Sequence, residues 1–157
     1  MTTISTSCTE IIPNLWLGSE TDSANTSFIN NLSIKTILNC TEEIPFYNKN
    51  TTNIRISVRD DLSVDHIILL FNYLPKATEL IHKELQKYRP LLVHCREGRQ
   101  RSCSVICAYL MRYYNLSSTK AIELIQSKRK LAFTPTANFK KALEEWELHL
   151  SKRYKEN

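Results

Sequence analysis

A cysteine and an arginine six residues apart, Cys95 and Arg101, are the residues of this chain best suited to covalent chemistry. They belong to the stretch His94-Cys95-Arg96-Glu97-Gly98-Arg99-Gln100-Arg101-Ser102. Apolar Leu91-Leu92-Val93 precedes it, and a helical pattern from Cys103 to Met111 follows. The thiol therefore sits where a strand ends and the arginine where a helix begins. A loop this short must curl, which points several backbone N–H groups inward as an anion cradle. The following helix adds its free N–H groups and the positive end of its dipole. A thiol placed there is expected to ionise near neutral pH, below its ordinary value of about 8.5. The guest that suits such a site is a phosphoryl group. The chemistry is attack of sulfur on phosphorus to give a phosphocysteine.

The neighbours of this pair read as its supporting parts. The planar fork of Arg101 matches two non-bridging phosphate oxygens at once, which lysine would not. A basic residue in a first helical turn works against the dipole and needs a reason to be there. Gly98, one of only two glycines in the chain, is expected where a Cβ would crowd the cradle or block the turn. Ser102 can donate a hydrogen bond toward the Cys95 sulfur, with a helix N-cap role as the competing reading. His94 is expected to fix the loop through a buried ring hydrogen bond. Arg96, Glu97, Arg99 and Gln100 are expected to point outward or line the rim, with their backbone N–H groups contributing to phosphate binding. A leaving alkoxide or phenolate also needs a proton from a carboxyl group on a nearby loop. Asp60 and Asp61 are the candidates, with Asp65 a distant third.

The elements that must hold these residues can be read from periodicity. Residues 1–10 are polar and expected to be flexible, 11–151 to form the catalytic domain, and 152–157 a polar tail. Ile11–Leu17 reads as a short strand with Gly18 turning out of it, and a short helix is expected within Thr21–Asn31. Ile34–Cys40 and Ile54–Val58 read as strands. Thr41–Asn53 and Arg59–Val64 read as loops. A long helix is expected over Ile67–Tyr88, with Leu70, Leu74, Ala77, Ile81 and Leu85 as its apolar stripe and Pro75 as a kink. The wholly apolar strand Leu91–Val93 needs cover on both faces. Helices follow over Arg101–Tyr114, Ser118–Ser127 (capped by Ser117 or Ser118) and Thr136–Leu150, the last opened by Thr134-Pro135. Strands alternating with helices predict an α/β domain with the Cys95 loop at the carboxyl end of an inner strand.

Composition bounds the partners. The chain has 157 residues and a formal net charge of +5, enough for one domain with its own core. No apolar run approaches the length of a membrane span. The first residues lack the features of a signal peptide, and Thr2 does not suit myristoylation. The five cysteines form no CxxC pair and no zinc spacing. They are expected to be reduced thiols of a cytoplasmic protein, nuclear entry being open, with Cys103 and Cys107 in the core. Neither a metal nor an organic cofactor is implied. The basic groups Lys128/Arg129/Lys130 and Lys152/Arg153/Lys155 are expected to serve solubility.

The 94–102 stretch resembles the signature of cysteine-dependent protein phosphatases, HCxxGxxR followed by Ser or Thr. The chain resembles in particular the small dual-specificity phosphatases of viral and atypical cellular types. Ile12-Pro13-Asn14-Leu15-Trp16-Leu17-Gly18, Ile37-Leu38-Asn39-Cys40-Thr41, Ala108-Tyr109-Leu110-Met111, Ser127-Lys128-Arg129 and Phe139 extend the likeness over most of the chain. The resemblance implies a tyrosine-phosphatase-like fold, a mainly parallel sheet flanked by helices. It also implies hydrolysis of phosphotyrosine and phosphoserine/phosphothreonine in proteins. An aspartate at the end of the strand before the long helix would serve as acid and then base. Aligning Ile56-Ser57-Val58-Arg59-Asp60 favours Asp60, while counting back from Phe71 favours Asp61. The hydroxyl matching Ser102 is implicated in release of the phosphocysteine. Gln100 departs from the Ser that many relatives carry and is expected to reshape the pocket mouth. Arg96 and Arg99 also resemble the pattern of phosphoinositide phosphatases, and RNA 5′-phosphatases share the fold. These remain alternatives, as does a non-catalytic phosphate-binding module. A phosphorylated protein is the expected partner. A monomer is expected, with a dimer left open.

Overall fold

The computed structural model describes residues 8–155. Its elements are β1 (Thr9–Ile12), β2 (Leu15–Gly18), α1 (Glu20–Ala24), α2 (Thr26–Asn31), β3 (Thr36–Asn39), β4 (Thr52–Arg55), α3 (Val64–Gln86), β5 (Leu91–His94), α4 (Arg101–Tyr113), α5 (Ser118–Lys128) and α6 (Lys140–Lys155). The strands form one sheet in the order β1-β2-β5-β3-β4. Only the β1/β2 pair is antiparallel, while β5 pairs in parallel with both β2 and β3, and β3 with β4. The α/β architecture expected from the alternation of strands and helices is the one observed.

Side-chain alternation along the strands builds two apolar layers. Leu15, Leu17, Leu38, Leu91 and Val93 face the larger core. Ile37 and Leu92 face a smaller one with Ile29 and Ile34, joined by Trp16. The run Leu91-Leu92-Val93 is apolar throughout because β5 is central and covered on both faces. Helix α4 packs on β5 and β2 and is itself surrounded by α3, α5 and α6. Every side chain from Arg101 to Met111 is therefore buried.

Several boundaries differ from the sequence-based expectations. Ile11–Leu17 is a hairpin rather than one strand: the chain turns at Pro13-Asn14, where Asn14 takes φ 71° and Ile12 pairs with Leu15. The segment expected to be flexible, residues 1–10, includes Thr9 and Glu10, which pair with Leu17 and Trp16. Residues 1–7 of it lie outside the described residues. Thr21–Asn31 holds two short helices sharing Asn25, which ends α1 and caps α2 through Phe28 N–H. The strand expected at Ile54–Val58 spans Thr52–Arg55. After Ile56 N–H donates to the Asn39 carbonyl, the chain turns away and brings the Val58 carbonyl to the site described below. Helix α3 runs unbroken through Pro75. The cis Thr134-Pro135 peptide does not open the last helix, which begins at Lys140 because residues 134–138 are tied to the Cys95 loop instead. That helix extends through residues 152–155, expected to belong to the polar tail.

Candidate active site

Cys95 follows β5 directly, and Arg101 is the first residue of α4. The six residues from Cys95 to Gln100 must reverse the chain, and the outward bonding of their carbonyls organises the loop. The His94 ring Nδ1–H donates to the Cys95 carbonyl at 3.2 Å. The Arg96 carbonyl accepts from Glu20 N–H at 3.0 Å. The Arg129 guanidinium donates to the Glu97 carbonyl at 3.1 Å and to the Gly98 carbonyl at 2.8 Å, and the Cys103 thiol also faces the latter at 3.3 Å. The Arg99 carbonyl accepts from Phe133 N–H at 2.7 Å. The Gln100 carbonyl accepts from the Ser104 N–H and hydroxyl. A trans peptide holds its C=O and N–H on opposite sides. Six carbonyls tied outward therefore turn the N–H groups of residues 96–101 toward the sulfur, making the anion cradle.

Gly98 has φ +67°, and a Cβ there would lie 2.5 Å from the Arg129 guanidinium and 2.6 Å from the Gly18 carbonyl. The crowding expected at this position thus comes from behind the loop, not from within the cradle. Cys95 is 3% exposed at the base of a cleft of about 520 Å³. Its Sγ lies 3.1 Å from the Ser102 hydroxyl. Ser102 lies within the first turn of α4, and Gln100 holds the N-cap position, which removes the capping role considered for the serine. His94 is buried, and burial pushes its imidazole down to about 4 despite the bond to the Cys95 carbonyl. The ring is therefore a neutral donor at ordinary pH.

Arg101 is 5% exposed. Its Nη1 donates to the Val58 carbonyl at 2.9 Å and to the Glu43 carboxylate at 3.1 Å. Burial works to raise Glu43, but its own backbone N–H, Arg101 and Arg96 outweigh that and hold it below the usual carboxylate range. Arg96 is also paired, with Glu20 at 3.6 Å and Glu43 at 3.8 Å. Asp60 and Asp61 both line the cleft. Asp61 accepts from Ser63 N–H at 3.0 Å and lies 3.6 Å from Arg59. The Ser63 hydroxyl and N–H, then Arg59, hold it below the usual range. Asp60 instead accepts from Asn138 Nδ2–H at 2.9 Å.

Arg96, Glu97 and Arg99 line the rim as expected, but Gln100 does not point outward. It is 5% exposed and spans to residues 134–138. Arg129, expected at the solvated surface, is 4% exposed and backs the loop. Sequence reasoning did not single out Glu43, Glu20 or Asn138. The pair Glu42-Glu43, in a loop soon after a strand parallel to β5, was the available signal. Among the described residues, no three His, Cys, Asp or Glu side chains cluster as a metal site requires, and no helix is long and apolar enough to cross a membrane.

The model for "Dual specificity phosphatase, catalytic domain" matches residues 15–149. Human dual specificity protein phosphatase 9 is 37% identical over 150 residues, which cover 92% of this chain and 38% of that protein. Putative tyrosine phosphatase 123R of Invertebrate iridescent virus 6 is 34% identical over 143 residues, covering 91% and 94%. The crystal structure of human DUSP28 matches with a TM-score of 0.83 at 26% identity, covering 96% of this chain and 99% of that one. The chain thus spans well under half of human phosphatase 9 and nearly all of the viral relative. With the matched model extending across both the cradle and the helices behind it, the chain belongs to the dual specificity phosphatase catalytic-domain family.

Proposed function

We propose that this chain is a cysteine-dependent phosphatase that hydrolyses phosphotyrosine and phosphoserine/phosphothreonine in proteins through a phosphocysteine. The observation that carries the proposal is the Cys95 sulfur at the base of a ring of inward N–H groups, with Arg101 at its edge. In the first step the Cys95 thiolate attacks phosphorus. The S–P bond forms, the P–O bond breaks, and the leaving oxygen takes a proton from Asp60. Asp61 is the poorer donor because Ser63 and Arg59 favour its charged form. The cradle, the N-terminus of α4 and Arg101 neutralise the equatorial oxygens. To grip two of them, Arg101 turns from Glu43 to the phosphoryl group. In the second step Asp60 takes a proton from water, which displaces sulfur. The Ser102 hydroxyl, 3.1 Å away, donates to the departing thiolate.

The lining of the cleft favours a phosphoprotein over a polyanion. Four arginines (Arg59, Arg96, Arg99, Arg101) face five carboxylates (Glu42, Glu43, Asp60, Asp61, Glu97). Arg96 and Arg99, the cations that would hold the extra phosphates of a phosphoinositide, are already paired, Arg96 with Glu20 and Glu43 and Arg99 with Glu97. The test compares release of phosphate from phosphotyrosine and phosphothreonine peptides, a phosphoinositide and a 5′-triphosphate RNA. Both peptides are expected to be turned over fastest, and Cys95→Ser to abolish turnover while leaving phosphate binding largely intact, because the loop N–H groups and Arg101 remain. A strong preference for the lipid or the RNA would replace the phosphoprotein reading. Tight phosphopeptide binding without turnover by the unmodified chain would make it a binding module.

A further inference from the structure

Gln100 contributes to the cradle through its backbone, yet its buried side chain faces the other way. Its Nε2 donates to the Thr134 carbonyl at 2.9 Å and the Thr136 carbonyl at 2.7 Å, and its Oε1 accepts from Asn138 N–H at 2.9 Å. Both amide hydrogens and one acceptor site are thus spent on fixing residues 134–138. Asn138 in turn reaches across 78 residues of sequence to donate from Nδ2 to Asp60 Oδ1 at 2.9 Å. A continuous chain of hydrogen bonds therefore runs from the loop holding the sulfur to one carboxyl oxygen at the opposite rim.

Resting on the phosphatase reading above, we propose that Asn138, clamped by Gln100, is a positioning residue that selects Asp60 over Asp61 as the proton donor and selects which of its oxygens carries the proton. An amide N–H donated to Oδ1 occupies that oxygen as an acceptor. The acid then keeps its carbonyl at Oδ1 and its O–H at Oδ2. Without the clamp, an exposed aspartate on a loop samples many rotamers, and few of them aim O–H at a leaving group. Asp61 has no such link to the Cys95 loop among the described hydrogen bonds. Its oxygen is taken by Ser63 N–H on its own side of the cleft. When the P–O bond breaks, its electron pair passes to the leaving oxygen and the proton on Asp60 Oδ2 follows.

The experiment measures kcat/KM for aryl phosphates, from activated esters, whose leaving groups need no proton, to phenyl phosphate, whose leaving group does. Asn138→Ala is expected to lose about 5- to 30-fold on phenyl phosphate, part of what a general acid supplies, and much less on the activated esters. Vanadate affinity, which reports on the cradle, should stay within about twofold, since one positioning bond outside the cradle is lost. Asn138→Ser, too short to span the gap, and Gln100→Ala should show the same dependence on leaving group. In an Asp60→Asn background, Asn138→Ala should cost nothing further. The inference is overturned if the loss is equal on all esters, if it persists in the Asp60→Asn background, or if Asp61→Asn rather than Asp60→Asn removes the leaving-group advantage. A wild-type chain inert toward every ester would instead sink the phosphatase reading.

Discussion

Arg129 offers the sharpest test of how the cradle is built. Its Nε and Nη2 donate to the Gly98 and Glu97 carbonyls, and its Nη1 lies 3.1 Å from the Thr9 hydroxyl. It therefore ties the loop to the end of α5 and to β1. Arg129→Met keeps the length of the side chain and removes every donor. Two charge-assisted bonds to buried carbonyls are each worth about 1.5–3 kcal/mol. The Cys103 thiol still faces the Gly98 carbonyl, and entering water compensates part of the loss, so the net cost should be about 2–4 kcal/mol. For a domain of this size that lowers Tm by roughly 5–15 °C. The functional effect is separate. With these carbonyls released, the peptide planes carrying the Gly98 and Arg99 N–H groups are free to rotate, and two cradle donors lose their aim. Vanadate affinity, measured by competitive inhibition well below the Tm, should fall about 10- to 100-fold. Arg129→Lys, able to reach only one carbonyl, should fall between. If Arg129→Met melts early yet binds vanadate within twofold of wild type, the loop orients its own N–H groups and the reasoning fails.

Two further perturbations follow from the same contacts. His94 falls from an ordinary 6.5 to about 4 through burial, so the folded protein refuses a proton that the unfolded chain accepts. Its contribution to stability is intact above about pH 6.5, declines as pH drops toward 4 and totals about 3 kcal/mol. Urea melts of the wild type and of His94→Gln across this range should differ in slope by up to about 1.4 kcal/mol per pH unit, and parallel slopes would refute the assignment. Glu43 is held low, so its pairing with Arg101 is present above the ordinary glutamate value and is lost as pH falls through the lowered folded value. Glu43→Gln frees Arg101 for the phosphoryl group without an anion to leave, so vanadate should bind about 2- to 5-fold tighter, the range for a partly exposed ion pair. Weaker binding would mean that Glu43 aims the guanidinium rather than competing for it.

The parts of the site legible in the sequence were those set by neighbours along the chain. An apolar run, a curl closed at Gly98 and a helix opened at Arg101 are local events. Their order places Cys95 and Arg101 at the two ends of one short loop, whose N–H groups are then aimed by contacts from farther along the chain. The β5 strand announced its central position because an unbroken apolar run must be covered on both faces. What the sequence could not show depends on contacts that cross tens of residues. Arg129 stands between two lysines and reads as solvated, and only the packing of α5 against β1 turns it inward to carbonyls 31 and 32 positions away. Gln100 reads as a rim residue until residues 134–138 close over it. Asp60 and Asp61 are adjacent and chemically alike, and only their partners tell them apart: Ser63 and Arg59 at Asp61, and Asn138, 78 positions away, at Asp60. A hydrogen-bond donor carries no mark of which distant carbonyl or carboxylate it will meet. That choice belongs to the tertiary structure, because it is made by whichever arrangement leaves the fewest buried polar groups without a partner.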